Sequence, residues 1–245
     1  MLDSNKMNID TGFNFQAALA NPKNDADKCS VVLQDYHHFL WSKQLPGGEP
    51  FQLEKLNTAC RLRYSNPQGD VILSSDRAVA TFTRWKRLQR IISQVPRSRL
   101  DEFINVTETI GGIIIWPCIK VDGKMSINSE RGLNRKICDR LDLTVECIRR
   151  YYNSESSPLN DTFKRYDEFF RLFVDFRGYV DFFLFQDFVN DDCNSVNTAQ
   201  PFDNFESSPV PSTKEEYIAY MDHTTDLVRA RNIRIDAYVS ANSIT

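Results

Sequence analysis

Hydrophobic and polar positions follow two rules along this chain, changing from one to the other near residue 132. Before it, a helical stretch at 78–95 and a short one at 99–104 aside, apolar residues alternate or gather in short β-branched runs; after it they recur every three to four positions. The first 28 positions are polar and weakly patterned and read as an irregular lead-in. Stretches 37–45 and 51–56 flank Pro46-Gly47-Gly48 and predict two extended segments around a turn. A clearer hairpin follows, with alternation over 60–64, a turn at Asn66-Pro67-Gln68-Gly69 and a return through 71–73. Ser75 or Asp76 can cap a helix over 78–95 that places Ala78, Phe82, Trp85, Leu88, Ile91 and Ile92 on one face. Lys86, Arg87 and Arg90 fall on the other face, Pro96 ends the helix, and 99–104 predicts a short helix beyond it. The β-branched run 109–116 reads as a central strand whose paired glycines, Gly111 and Gly112, mark a bulge or a close backbone approach. Asp122-Gly123 then turns the chain toward a partner strand at 124–128.

Past Gly132 one helical face collects Leu133, Ile137, Leu141, Thr144, Val145, Ile148, Tyr151 and Tyr152. Arg135, Asp139, Asp142, Glu146, Arg149 and Arg150 share the opposite face, so one long helix is predicted up to Tyr152. Pro158 with Asn160 or Asp161 starts another. Nine of the 17 phenylalanines lie over 163–188, which makes that stretch a major supplier of core. After a loop at 200–211 containing three prolines, Ser212 and Glu215 form a capping box for a final helix with Tyr217, Tyr220, Met221 and Leu227 on its apolar stripe. The expected fold is therefore α+β, with a mostly antiparallel sheet from the N-terminal half packed against helices mainly from the C-terminal half.

Composition supports one domain over 1–245: a lead-in at 1–28, a β-rich half with one basic helix at 29–130, and a helical half at 131–235. Hydrophobic residues at 41% and charged residues at 26% are ordinary for a globular chain, and no period repeats. Positions 1–21 never assemble the apolar run of a signal peptide, and no window approaches a membrane span, so a cytoplasmic protein is expected. The six cysteines form no C-x-x-C pair and the three histidines supply no ligand spacing, so free thiols and no metal are expected. Net charge is −3, yet 77–99 holds seven basic and no acidic residues while 187–206 holds five acidic and no basic ones.

Several strings stand out together: Leu73-Ser74-Ser75-Asp76, Gly111-Gly112 ahead of Trp116-Pro117, Ser126-Ile127-Asn128 with Arg131-Gly132, the run 139–152, and Tyr179-Val180-Asp181-Phe182-Phe183. In these the chain resembles a widespread group of uncharacterised bacterial proteins, a domain of unknown function, from about residue 35 to about residue 230. The resemblance implies a bacterial setting and a one-domain extent, and brings no activity or catalytic residues with it.

Candidate chemistry concentrates where a strand is expected to turn into the long helix. Asn128, Arg131 and Arg135 would there meet a helix start, with Ser74, Ser75 and Asp76 as an opposite wall, which suits a phosphate or carboxylate. The preferred reading is a small anionic ligand, a nucleotide or phosphorylated metabolite, with no cofactor. Two alternatives stand beside it: a protein-interaction or homodimerisation module using an exposed Leu143, and a nucleic-acid binder using Lys86, Arg87 and Arg90 on the basic helix at 84–99. Asp139, Asp142 and Glu146 read as a salt-bridged, solvated face. His37 or His38, expected on opposite faces of a strand, is a candidate base without a partner. No Walker loop, dinucleotide fingerprint or nucleophile elbow is present.

Overall fold

The computed structural model describes residues 9–242; positions 1–8 of the expected lead-in and the last three residues lie outside the described residues. The fold is α+β. Four antiparallel strands, β1 (Leu53–Lys55), β2 (Leu62–Asn66), β3 (Gly69–Arg77) and β4 (Ile113–Pro117), pair in the order β1-β2-β3-β4. The β2–β3 turn is held by Asn66, whose Oδ1 accepts the N–H groups of Gln68 and Gly69 at 2.9 and 3.1 Å. Gly69 sits at φ +139°, a conformation open to glycine.

The expected strand at 37–45 is instead the end of a helix. After the short α1 (Ala26–Cys29), α2 (Val31–Trp41) starts at Ser30, whose Oγ accepts the Leu33 N–H. Leu33, Tyr36, His37, Leu40 and Trp41 are buried at helical spacing. Gln34 of α2 donates to the carbonyls of Leu56 and Arg61 and so joins β1 to the start of β2. The lead-in before α1 also reaches inward, because Phe15 is fully buried against Tyr36 and its N–H bonds Glu108 O.

The expected helix over 78–95 does not form, because β3 runs on to Arg77 and pairs Leu73–Arg77 with β4. Ser75 and Asp76 are strand residues, not caps. Beyond them the carbonyls a helix would use internally are taken by other groups: Arg131 donates to Ala78 O, and the hydroxyls of Tyr220 and Tyr217 donate to Ala80 O and Thr81 O. The segment 78–85 stays irregular and leads to a 3-10 turn (Lys86–Leu88), the four-residue α3 (Gln89–Ile92) and α4 (Arg97–Thr107).

β4 is also not central. It is the last strand in the order, yet every one of its residues is buried. The glycine pair before it does mark a close approach, since a Cβ on Gly111 would lie 2.5 Å from Val228 O and one on Gly112 would lie 2.4 Å from Thr107 O. The partner strand expected at 124–128 is replaced by α5 (Ile127–Leu133), capped by Ser126. The long helix expected up to Tyr152 is two helices: α5 ends at Leu133, a turn follows over 134–140, and α6 (Leu141–Tyr152) starts afresh. Leu133, placed on the core face by periodicity, is 70% exposed for that reason.

α7 (Asn160–Arg165), α8 (Asp167–Arg171), α9 (Phe176–Phe183) and the turn between the last two carry the aromatic core, with Phe163, Phe170, Phe173 and Phe183 fully buried. The final helix α10 (Lys214–Asn242) starts one residue later than the expected box, with Thr213 Oγ1 accepting the Glu216 N–H while Ser212 donates to Glu216 Oε2. Arg231 of α10 is fully buried and donates to Gly111 O, Ile113 O and Phe183 O, which ties α10 to β4 and to the end of α9. Among the described residues no helix is long and apolar enough to cross a membrane.

Candidate functional site

Of the residues singled out in the sequence, Arg131 and Asp76 do meet. Arg131 Nη1 donates to Asp76 Oδ2 at 2.5 Å and to Asp139 Oδ1 at 3.1 Å, and Nη2 donates to Ala78 O and to the Asp139 carbonyl. Nε donates to Thr144 Oγ1 at 2.9 Å. A guanidinium has five N–H groups, and here each has an acceptor inside the protein. The side chain is wholly buried, so it offers a ligand nothing directly. The Trp116 indole N–H adds a bond to Asp76 Oδ2, and burial pushes the Asp76 carboxyl up against the pull of Arg131. Among the described residues no hydrogen bond joins Asn128, Ser74 or Ser75 to Arg131 or Asp76; Ser75 points to the face of β3 opposite Asp76.

The turn between α5 and α6 follows from this node. Cys138 and Asp139 are both left-handed, at φ +52° and +63°. Two consecutive non-glycine residues there cost roughly 1–2 kcal/mol each. The conformation is held by the Asp139 N–H on Arg131 O, the Cys138 N–H on Asn134 O, and the Cys138 thiol on Arg135 O. It turns the Asp139 side chain, 36% exposed, toward the surface.

What that surface contains was only partly legible in the sequence. Two depressions share Trp85 and Cys138 as walls. One, of about 340 Å³, is lined by Thr81, Thr83, Arg84, Asp139 and the Arg77–Glu108 ion pair. The other, of about 540 Å³, is lined by Trp85, Arg87, Arg135, Cys138 and Ser208. Arg135, expected beside Arg131 at a helix start, therefore stands with Arg87 from the basic stretch. The Arg87 guanidinium lies 4.7 Å from the Trp85 ring centre, a cation–π contact that holds it in place. Arg84, Arg87 and Arg135 are exposed and have no ion-pair partner among the described residues.

Trp85, expected in the core, is half-buried at this mouth. Lys86 and Arg90 are exposed and do not line it. With the basic helix replaced by a 3-10 turn and a four-residue helix, the three cations named for nucleic acid do not lie on one helix: Lys86 and Arg87 belong to the turn and Arg90 to α3. Arg84, Cys138 and Asp139 were missed as a group because they come together only through the break between α5 and α6.

The remaining candidates are structural. Asp142 and Glu146, expected in solvent, are buried: Asp142 pairs with the fully buried Arg140, and Glu146 receives Arg149 and Arg150. Arg140 also donates to Ala199 O, Pro201 O and Pro209 O and so anchors the proline-containing loop. Leu143, expected at the surface, is fully buried. His37 lies inside the protein on α2, where burial and then Arg231 hold its imidazole down to about 3. Its Nδ1 accepts the Trp41 indole N–H. Burial pushes the Cys138 thiol up, away from the thiolate a nucleophile needs. Among the described residues no group of three or more His, Cys, Asp or Glu side chains is placed to hold a metal.

No curated protein and no solved structure matches the chain. Residues 9–235 match the sequence profile of a family of unknown function, DUF6994, and the chain belongs to that family.

Proposed function

We propose that this protein binds a small phosphate-bearing ligand in the cleft beside Trp85. The observation that carries this reading is the placement of Arg84, Arg87 and Arg135, three exposed guanidinium groups in no salt bridge among the described residues, in the two neighbouring depressions that Trp85 and Cys138 wall. A planar guanidinium presents parallel N–H groups that match two phosphate oxygens. Trp85 already restrains Arg87, so less side-chain freedom is lost on binding. The anion site expected at the strand-to-helix junction is thereby displaced outward: Arg131 and Asp76 brace the turn from below, while Arg135 reaches the ligand from above. The thiols, none in a disulfide, suit the reducing bacterial cytoplasm expected from the sequence.

Thermal-shift measurements with inorganic phosphate, pyrophosphate and adenosine 5′-monophosphate test the reading. A ligand at about a hundred times its dissociation constant raises the midpoint of a chain this size by roughly 5 °C or more. We expect at least one of the three to do so in the wild type and to lose most of the effect in Arg87→Ala and Arg135→Ala. No shift with any of them, or equal shifts in all three proteins, overturns it.

A further inference from the structure

The cleft also holds a group that a site for a bare anion would not want. We propose that its ligand carries hydroxyl groups as well as phosphate, as a phosphorylated sugar or nucleoside 5′-phosphate does, and that Asp139 is the carboxylate receiving them. The proposal rests on the phosphate reading above and adds the ligand's second half.

Asp139 lines the same depression as Arg84, with the Thr81 and Thr83 hydroxyls 3.1 Å apart on that wall. Its Oδ1 accepts from Arg131, and its Oδ2 accepts nothing among the described residues. The other carboxylate in the lining, Glu108, is buried and paired with Arg77. Asp139 thus supplies the open carboxylate oxygen in a depression whose other charged groups are Arg84 and the Arg77–Glu108 ion pair.

Its placement is imposed from both sides. The left-handed pair Cys138-Asp139 is a strained way to cross between two helices, and the buried Arg131 grips both the Asp139 side chain and its carbonyl. A carboxylate needed only to neutralise Arg131 would be served by burial, as Asp76 is; Asp139 is left reachable from the cleft. A fixed negative charge there repels a second anionic group and accepts hydrogen bonds from hydroxyls, which selects a ligand with phosphate at one end and a diol at the other. Adjacent hydroxyls of a ribose fit that description, with one on Oδ2 and its neighbour within reach of Thr81 or Thr83.

Isothermal titration of the full chain with adenosine 5′-monophosphate, its 2′,3′-dideoxy counterpart and pyrophosphate tests this. A hydrogen bond to a charged acceptor corresponds to about tenfold in affinity or more, so the dideoxy compound is expected to bind the wild type about tenfold more weakly. Asp139→Asn is expected to shrink that ratio to below about threefold and to leave pyrophosphate binding equal or tighter. Asparagine keeps an Oδ1 for Arg131, and the wild-type comparison needs no variant at all. Equal binding of the two nucleotides beside measurable pyrophosphate binding overturns the hydroxyl assignment alone. A preference that persists undiminished in Asp139→Asn overturns the role of Asp139. Failure of all three ligands to bind overturns the phosphate reading and this one with it.

Discussion

Three arginines, Arg131, Arg140 and Arg231, are completely buried, an uncommon fate for that side chain. Each is satisfied differently. Arg140 has Asp142 and three loop carbonyls, Arg231 has backbone carbonyls, and Arg131 has two carboxylates, a threonine and two carbonyls. Removing one partner from such a set leaves the others desolvated and unpaired. Arg131→Ala is therefore expected to lower unfolding free energy by about 3–5 kcal/mol in urea titrations. The double variant Arg131→Met with Asp76→Leu should lose less than Arg131→Ala alone, because it removes the stranded charge together with its partner. Both residues were conspicuous in the sequence as ligand contacts. Their bond to each other, across 55 positions, was not visible, because periodicity reports which face a residue occupies and not which distant residue it meets.

At the scale of elements, local pattern succeeded where neighbouring residues settle the structure and failed where distant ones do. The β2–β3 hairpin needs only Asn66 and Gly69 to make its turn, and it was legible. The 78–95 stretch has a sound helical face, yet β4 takes the residues before it and Tyr217, Tyr220 and Arg131 take its first carbonyls. The α5–α6 break was hidden because its apolar spacing continues through the turn. Gly111 is an intermediate case, since the sequence indicated a close approach without naming what approaches. Gly111→Ala is expected to cost about 1–3 kcal/mol, because Val228 O and Asn232 Oδ1 of α10 must move away from the new Cβ. Gly132→Ala, whose nearest neighbour would be Asp139 Oδ1 at 4.0 Å, should be neutral or stabilising, as expected for alanine in place of glycine inside a helix. Comparing the two melting midpoints checks the contrast.

Over the whole molecule the buried ionisable groups set an unusual response to pH. Burial raises Asp27 to about 6, and raises Asp76 and Glu108 as well. A carboxyl raised on folding favours the folded state below its unfolded value, and that advantage fades as pH rises through its folded value. His37 works in the other direction: held down to about 3, it weakens the folded state once pH falls below about 6.5, where the unfolded imidazole takes up a proton. The carboxyls outnumber it, so the thermal midpoint is expected to be higher near pH 5.5 than at pH 7. Asp27→Asn should flatten that slope, and a midpoint that falls steadily from pH 7 to 5.5 would contradict the assignment.

α10 also bears on how the chain is made. It follows every strand in the sequence, yet Arg231 supplies donors for carbonyls at Gly111 and Ile113, and Tyr217 and Tyr220 supply them for Thr81 and Ala80. On the ribosome, β4 and its isoleucines emerge roughly a hundred residues before the helix that completes their surroundings. For those seconds of synthesis the nascent chain presents an apolar strand with open carbonyls, a natural client for chaperones until α10 arrives.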